Sequence, residues 1–303
     1  MKNVLMLTKD HQAYRALVAA ELPDVNILTE PTDECEIALG APSMIARELD
    51  NLPNVKWVQS TWAGVEPLLD PSLRRDYVLT NARGVFGGLM SEFVFGYLLA
   101  HERKIFELAQ AQQRREWMRF LTGTLRGKTI GLLGVGSIGA EVARTAKFFG
   151  MTVRGYTRSS EDCESVDEYF HGDELLMFAD KLDYLISILP NTKDTRKLVD
   201  ADLFSALPLH CLFINVGRGS AVDESALISA LENDELAGAV LDVFEQEPLP
   251  QEHPFWTTKN LIMTYHTSAP SFPEDIAGVF IENYRLYIEG KPLKYQVDFE
   301  RGY

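Results

Sequence analysis

Short apolar runs alternate along this chain with longer stretches in which apolar residues recur at helical spacing. Such alternation is typical of α/β proteins, in which helices cover a mostly parallel sheet. In the N-terminal part, polar or helical stretches separate runs of only a few residues, so we expect a small α/β domain there. These runs comprise residues 4–7, 25–28, 37–39, 55–58 and 77–79.

The rest of the chain repeats the pattern with more runs. Residues 91–117 have the periodicity of one long helix, which we expect to link two domains, and residues 273–287 are helical again. The apolar runs between these helices predict the strands of a second, doubly wound domain. They comprise residues 130–133, 152–156, 184–189, 212–216, 239–244 and 261–265.

A glycine-rich turn follows the first strand of this second group and precedes a helical stretch at 141–149. Gly134 permits a tight turn, Gly136 lets the backbone approach a pyrophosphate, and Gly139 lets the helix pack on the sheet. The free N–H groups of the helix N-terminus would bind the phosphates. A simple strand-turn-helix corner is the alternative. The predicted dinucleotide contacts are Gly134, Gly136, Ser137, Ile138 and Gly139.

Bulk composition narrows the possible partners. With 303 residues the chain can form two domains, each with its own core, and its formal net charge of -15 argues against nucleic acid or an anionic membrane. Cys35, Cys163 and Cys211 fit no metal spacing or disulfide framework, as expected of reduced thiols. The N-terminus is unlike a signal peptide, and no apolar run approaches a membrane span. We expect a cytoplasmic protein without a metal.

Two further segments indicate ligand contacts. Trp62, Ala63 and Gly64 follow a strand, where backbone N–H groups could bind a small anion beside the indole, although a packed turn with the tryptophan in the core is the alternative. NAD-selective domains place an acidic residue about twenty positions past the glycines.

The segment after residues 152–156 contains the predicted cofactor contacts Thr157, Arg158 and Ser159. No carboxylate stands at Thr157, and Ser160 adds a second serine hydroxyl to that of Ser159. Because a cation and hydroxyl groups suit a 2′-phosphate, NADP(H) is favoured over NAD(H). An arginine that only stacks or points into solvent is the alternative. The acidic residues Glu161 and Asp162 nearby weaken the prediction.

Several motifs in the same order resemble the D-isomer-specific 2-hydroxy acid dehydrogenases, over nearly the whole chain. They are the glycine turn 134–139 and the segments 214–219, 241–250, 253–256 and 266–269. The resemblance implies two Rossmann-like parallel-sheet domains, with a cofactor domain (93–270) inserted into a smaller flavodoxin-like substrate domain (1–92 plus 271–303). It also implies a homodimer held together largely through the cofactor domains.

Reduction of a 2-oxo acid requires a proton donor and a cation as well as a hydride. The resemblance assigns the proton transfer to His266, which Glu247 would keep charged, and the grip on the substrate carboxylate to Arg218. Asp242 would hold the nicotinamide carboxamide. By the same motif matches, Leu189 and Pro190 would line the adenine side, and Val216 and Gly217 the nicotinamide side. The predicted substrate contacts are Trp62, Ala63, Gly64, Arg218 and His266.

The arrangement looks most like the glyoxylate/hydroxypyruvate reductase branch, which implies NAD(P)H-dependent reduction of a small 2-oxo acid to the D-2-hydroxy acid. A D-3-phosphoglycerate dehydrogenase-like enzyme and a non-catalytic, nucleotide-sensing interaction protein remain as alternatives. Two departures concern the site. Tyr265 stands where relatives commonly have proline, and Glu66 replaces a common aspartate beside the predicted anion turn.

Overall fold

The structure, a computed structural model, describes residues 2–302 and consists of two compact units. The terminal unit runs to Val85 and resumes at Ser271, and the central unit is Phe86–Pro270. The sequence-based boundary between residues 92 and 93 falls inside the helix Gly87–Glu102. The units change instead at the turn that precedes this helix.

Strands and helices alternate along the described residues. The strands are β1 (Lys2–Leu7), β2 (Val25–Leu28), β3 (Ile37–Gly40), β4 (Trp57–Ser60), β5 (Val78–Thr80), β6 (Thr129–Leu133), β7 (Thr152–Tyr156), β8 (Glu168–Phe170), β9 (Tyr184–Ser187), β10 (Leu212–Asn215), β11 (Gly238–Leu241) and β12 (Leu261–Met263). The α-helices are α1 (His11–Glu21), α2 (Pro42–Glu48), α3 (Gly87–Glu102), α4 (Ile105–Gln113), α5 (Ser137–Phe148), α6 (Leu175–Ala179), α7 (Ala201–Ala206), α8 (Glu224–Glu232) and α9 (Pro273–Ile288).

The terminal unit contains a parallel sheet of order β2-β1-β3-β4-β5. This is the flavodoxin-like order. Helix α9 belongs to this unit because its aromatic rings pack on β4. The ring of the fully buried Trp57 stacks on Phe280 at 5.2 Å and on Tyr287 at 5.5 Å between centroids. The C-terminal segment therefore completes the core that the N-terminal residues begin.

The central unit contains a parallel sheet of order β12-β11-β10-β9-β6-β7-β8. Both faces of this sheet are buried, and successive residues of its central strands point to opposite faces. Ile130 and Leu132 of β6 pack into one core cluster, and Leu133 packs into the other. Strand order reverses between β6 and β9, where such sheets bind dinucleotides. The predicted α/β fold class, with two doubly wound parallel-sheet domains, is confirmed.

The prediction of one long helix over residues 91–117 is wrong. Two helices, α3 and α4, are separated at Lys104, which has the left-handed φ of 53°. Helix α3 is largely apolar, and Val94 and Leu98 are fully buried. Helix α4 instead leaves Ile105 and Phe106 half-exposed. The apolar periodicity continues through the break, so it does not reveal the change of direction.

The predicted strands of the central unit extend too far at their C-terminal ends. Strand β9 ends at Ser187, β10 at Asn215 and β11 at Leu241, so the apolar residues that follow lie in loops. Strand β8, Glu168–Phe170, was not predicted because it begins with a charged residue and forms no apolar run. No helix within residues 2–302 is both long and apolar enough to cross a membrane.

Candidate active site

An imidazole and a carboxylate form a direct pair at the ends of β11 and β12. His266 Nδ1 lies 2.8 Å from Glu247 Oε2, and the two side chains are 54% and 35% exposed. Because an ionised carboxylate can only accept, Nδ1 carries the proton of this bond. Nε2 is then the ring nitrogen that can exchange a proton with a bound molecule. The partly exposed pair is thus oriented for proton transfer.

The backbone of His266 is held in an unusual conformation. Its φ is 56°, in the left-handed region that is uncommon for residues other than glycine. Its N–H donates to the carbonyl oxygen of Asp242 at 2.8 Å. Such backbone conformations persist only where the surrounding structure enforces them, and they are frequent in active sites.

The buried carboxylate of Asp242 enforces this conformation. Its Oδ1 accepts from the Thr264 hydroxyl at 2.6 Å and from the Thr267 N–H at 2.8 Å, and its Oδ2 accepts from the Ser268 N–H at 3.0 Å. Burial by itself raises the pKa of Asp242. The hydrogen bonds from Ser268, Thr264 and Thr267 outweigh burial, so the pKa is lowered. Asp242 is therefore ionised and braces both sides of His266.

The loop that carries Glu247 is held by a hydrogen bond from its own backbone and by close contact with Gly219, which follows β10. The Phe244 N–H donates to Glu247 Oε1 at 3.0 Å, which leaves the other oxygen for the histidine. The carbonyl carbon of Phe244 lies where a side chain at Gly219 would begin, 1.9 Å from an ideal Cβ. Glycine is required at this position because any other residue would push the loop away.

Arg218 stands between Gly217 and Gly219, directly after β10. Its side chain is partly buried, and its Nη1 donates to the Gly217 carbonyl at 2.8 Å. Strands β10, β11 and β12 are neighbours in the parallel sheet, and the loops after them carry Arg218, Glu247 and His266. Sheet order therefore brings the three predicted catalytic residues to one edge, where the histidine and the glutamate are in direct contact.

The glycine turn lies between β6 and α5, at the point where strand order reverses. Gly134 has a φ of 94°, which favours glycine, and its N–H donates to the Tyr156 carbonyl at 3.0 Å. A Cβ at Gly139 would lie 2.4 Å from the Gly134 carbonyl oxygen, whereas one at Gly136 would meet no atom within 4 Å. The space beside Gly136, at the start of α5, fits a dinucleotide pyrophosphate.

The segment predicted to recognise the ribose lies after β7 at the surface. Thr157 is partly buried, Arg158 and Ser159 are exposed, and Arg158 forms a 3.7 Å ion pair with Asp194. Sequence reasoning missed His171, whose ring contacts the Thr157 carbonyl oxygen at 2.9 Å. The signal was weak because His171 follows β8, a strand that no apolar run marks in the sequence.

The other predicted cofactor residues differ in exposure. Leu189 and Val216 are 7% and 2% exposed and belong to the two core clusters, while Pro190 is exposed. Gly217 is close to the β9 loop, because a Cβ there would lie 2.6 Å from the Leu189 nitrogen. The loops that follow β9 and β10 are therefore in contact beside the glycine turn.

The predicted anion turn belongs to the terminal unit and follows β4. Trp62 is 46% exposed, so its ring is not in the core; Trp57 of the same strand is the buried one. The Ser60 hydroxyl accepts from the Trp62 N–H at 2.9 Å, and Asn81 donates to the Ala63 carbonyl at 2.8 Å. Gly64 is partly buried. These bonds fix the turn and leave the indole at the surface of its unit.

Among the residues that the structure describes, no group of three or more histidine, cysteine, aspartate or glutamate side chains is placed to hold a metal ion. The cysteines are free, with Cys35 and Cys211 buried and Cys163 partly exposed.

Comparisons with known proteins agree on one family. The model of the NAD binding domain of the D-isomer specific 2-hydroxyacid dehydrogenases matches residues 95–268. A glyoxylate/hydroxypyruvate reductase A from Serratia proteamaculans is 33% identical over 264 residues, which is 84% of either chain.

Two solved structures are also similar. A D-isomer specific 2-hydroxyacid dehydrogenase family protein from Aeromonas salmonicida is 41% identical with a TM-score of 0.93, covering 98% of this chain and 99% of that one. An NADPH-dependent glyoxylate/hydroxypyruvate reductase from Sinorhizobium meliloti, in complex with NADP and sulfate, is 29% identical with a TM-score of 0.87, covering 100% of both chains.

Proposed function

Because this chain belongs to the D-isomer specific 2-hydroxyacid dehydrogenase family, as its motifs predicted, we propose that it reduces a small 2-oxo acid to the D-2-hydroxy acid. The substrate would be of the glyoxylate or hydroxypyruvate type. The observation that carries the proposal is the 2.8 Å contact between His266 Nδ1 and Glu247 Oε2. It orients an imidazole for proton transfer at the edge of a dinucleotide-binding sheet.

Each residue of the pair has a distinct role in this proposal. His266, as imidazolium, donates the Nε2 proton to the carbonyl oxygen of the substrate, and its neutral form accepts the proton in the reverse reaction. Glu247 orients the ring and stabilises its charge. Arg218 binds the substrate carboxylate, because its planar fork matches two oxygens. The bound nicotinamide supplies the hydride.

We propose NADP(H) as the favoured cofactor. The pyrophosphate would lie beside Gly136, where the backbone has no side-chain atom in the way. Arg158 offers a cation for a 2′-phosphate and Ser159 offers a hydroxyl group, while Thr157, whose hydroxyl donates to the Ser160 carbonyl, begins the same segment. The Sinorhizobium meliloti relative, described as NADPH-dependent and in complex with NADP, supports this choice. Asp242 and the loops containing Leu189, Pro190, Val216 and Gly217 are the further proposed cofactor contacts.

In the terminal unit, Trp62, Ala63 and Gly64 remain our proposed substrate contacts. In the central unit, the proposed substrate contacts are Arg218 and His266. The comparisons do not favour either alternative function. Two relatives, from Serratia proteamaculans and from Sinorhizobium meliloti, are both described as glyoxylate/hydroxypyruvate reductases. That description names an enzyme activity, and the substrates it names do not include phosphoglycerate.

We also propose a cytoplasmic homodimer. Free, widely separated cysteines suit a reducing compartment. The segment 105–121 of the central unit exposes several large apolar side chains, a pattern typical of an interaction surface. Its most exposed members are Trp117 at 93% and Leu121 at 97%.

Initial rates with NADPH and with NADH test both substrate and cofactor. The oxo acids would be glyoxylate, hydroxypyruvate, pyruvate, 2-oxobutyrate and phosphohydroxypyruvate. We expect the best kcat/KM with NADPH and glyoxylate or hydroxypyruvate. A preference for phosphohydroxypyruvate would support the phosphoglycerate dehydrogenase alternative, and a clear preference for NADH would overturn the cofactor assignment.

The His266→Ala variant tests the proton donor. We expect kcat to fall roughly 10²- to 10⁴-fold, since general acid catalysis is lost, while the Kd for NADPH stays nearly unchanged. The matched control is His210→Ala, which removes an exposed histidine that pairs with Asp183. Dehydrogenase turnover retained in the His266→Ala variant would exclude His266 as the proton donor.

A further inference from the structure

The histidine that follows β8 is placed against the proposed ribose-binding segment by strand pairing. In the parallel register of β7 and β8, Tyr156 lies opposite Phe170, so Thr157 and His171 leave the two strands side by side. The Thr157 N–H donates to the Phe170 carbonyl at 3.1 Å. The segment 157–161, here called the ribose loop, therefore begins beside this imidazole.

Both ring nitrogens of His171 face hydrogen-bond acceptors of the ribose loop. Nδ1 lies 2.9 Å from the Thr157 carbonyl oxygen, and Nε2 lies 2.9 Å from Glu161 Oε1. Nδ1 is also 3.2 Å from the Thr157 hydroxyl, which donates its own proton to the Ser160 carbonyl at 2.7 Å. Because a carbonyl and a carboxylate cannot donate, both 2.9 Å contacts are hydrogen bonds only when both ring nitrogens carry protons. The geometry is that of an imidazolium.

The surroundings of the ring favour the charged form. The hydrogen bond to Glu161 and the one to the Thr157 carbonyl raise the pKa of His171. Glu174, whose carboxylate accepts from the His171 N–H at 2.9 Å, adds a second negative charge, and the Tyr169 ring stacks on the imidazole. Arg158 is the cation of the ribose loop, and Asp162 follows the loop directly.

We propose that His171 is a positioning residue for NADP(H), whose imidazolium holds the ribose loop in the conformation that receives the 2′-phosphate. The inference rests on the proposed use of NADP(H). The ring ties the start of the loop, Thr157, to its end, Glu161, with Arg158 between them. It also neutralises a carboxylate that would otherwise repel the phosphate.

Deprotonation of His171 removes both effects. One ring nitrogen then presents a lone pair to an acceptor oxygen, so one of the two contacts is lost. The Glu161 charge is no longer paired, and it repels a phosphate dianion. The advantage of a 2′-phosphorylated ligand should therefore be largest where His171 is protonated and should decline as the pH rises through its titration.

Calorimetry on the full chain can measure how much more tightly a 2′-phosphorylated ligand binds, without any catalytic turnover. Adenosine 2′,5′-bisphosphate and adenosine 5′-monophosphate would be titrated from about pH 6 to about pH 9, a range that spans histidine titration. In the wild type we expect the bisphosphate to bind more tightly than the monophosphate, and we expect the ratio of their affinities to decrease as the pH rises. In His171→Gln we expect that factor to be about two- to fivefold smaller at the acidic end, as is usual for an exposed charge interaction.

The comparison between variants isolates the histidine. Ionisation of the phosphate itself affects wild type and His171→Gln alike, so their difference should shrink toward alkaline pH. Glu161→Gln should keep bisphosphate affinity at alkaline pH, because the repelling carboxylate is gone. His210→Gln replaces an exposed histidine that also pairs with a carboxylate, Asp183, and should match the wild type.

Two contrary results have different meanings. If His171→Gln retains the wild-type advantage and its pH course, His171 does not position the loop, while the use of NADP(H) stands. If the wild type binds both nucleotides equally well, the proposed cofactor preference is wrong and the inference about His171 fails with it. Unchanged binding of the monophosphate in each variant would show that the fold is intact.

Discussion

At the scale of single residues, two carboxylates hold the proposed proton donor in different ways. Glu247 contacts the ring of His266, whereas the Asp242 carboxylate accepts from the Thr264 hydroxyl before this histidine and from the backbone N–H groups of Thr267 and Ser268 after it. The first interaction acts on the charge and orientation of the imidazole. The second acts on the conformation of the loop, whose histidine has a left-handed φ. The two carboxylates should therefore have separable effects on catalysis and on stability.

Replacement of Glu247 by glutamine should impair catalysis without unfolding the protein. A charge-assisted hydrogen bond to the imidazole becomes a neutral one, so we expect kcat to fall roughly 10- to 100-fold. The control is Glu245→Gln in the same loop, since Glu245 pairs with Arg196 instead of the histidine. Steady-state rates of 2-oxo acid reduction measure the effect. Equal kcat values for the two variants would mean that Glu247 does not support His266.

Replacement of Asp242 by asparagine should destabilise the fold in a pH-dependent manner. The amide cannot accept all the hydrogen bonds of the carboxylate, so we expect a loss of about 2 kcal/mol in the free energy of unfolding at neutral pH. Because the pKa of Asp242 is lowered in the folded state, its ionisation stabilises the protein above the unfolded value of 3.8. That stabilisation is lost as the pH falls through the folded value.

Urea denaturation of both proteins checks this prediction. The difference in unfolding free energy should stay constant from neutral pH down to about pH 5 and should shrink below the unfolded aspartate pKa. A difference that grows on acidification would contradict the assigned direction.

At the scale of elements, two glycines in the strand-to-helix turn between β6 and α5 have different roles. A methyl group at Gly139 would lie 2.4 Å from the Gly134 carbonyl oxygen, so this residue is needed for packing. A methyl group at Gly136 meets no atom within 4 Å, so the fold itself leaves that position open. The motif spacing predicted the close packing at Gly139 because it follows from the local geometry of the turn, and the role of Gly136 toward a pyrophosphate stays a prediction.

The two alanine variants of this turn should therefore behave differently. Gly139→Ala should lower the free energy of unfolding by about 1–3 kcal/mol through overpacking. Gly136→Ala should leave stability nearly unchanged and should weaken NADPH binding, because the new methyl group occupies the place of the pyrophosphate. Thermal unfolding and fluorescence titration with NADPH measure the two effects. Full NADPH affinity in Gly136→Ala would argue against a pyrophosphate at this position.

The helix break at Lys104 shows what a local pattern cannot report. Apolar residues continue at helical spacing from α3 into α4, so periodicity alone predicts one helix over residues 91–117. The α3 residues pack into the core, whereas α4 exposes its apolar face. The chain turns at Lys104, and the apolar residues before and after the turn differ in burial.

At the scale of the whole molecule, the exposed apolar segment 105–121 bears on the proposed homodimer. Replacement of both Trp117 and Leu121 by serine removes its two most exposed large side chains. We expect the double variant to shift toward the monomer, since dimer interfaces rely on buried aromatic and aliphatic residues. Light scattering coupled to size-exclusion chromatography measures the mass. The control is Phe148→Ser, an 84% exposed side chain outside the segment. A monomeric wild type would contradict the proposal.

The sequence by itself determined the parallel α/β architecture, the dinucleotide turn and the identity of the family. These follow from short-range patterns, because strand and helix periodicity, glycine spacing and contiguous motifs are written within a few residues. Through the resemblance it also indicated the residues proposed for chemistry and the support of His266 by Glu247, although not the geometry of that contact. The predicted strands ran into the loops that carry several of these residues, since apolar side chains continue past the last ladder hydrogen bond.

Only the tertiary structure decided which distant residues meet. The order of β10, β11 and β12 places the Glu247 carboxylate on His266, and the register of β7 and β8 places His171 on the ribose loop. Stacking of Phe280 on Trp57 packs helix α9 against the sheet of the terminal unit. Such contacts join residues far apart in the chain. They depend on strand order and side-chain packing, which no local pattern encodes.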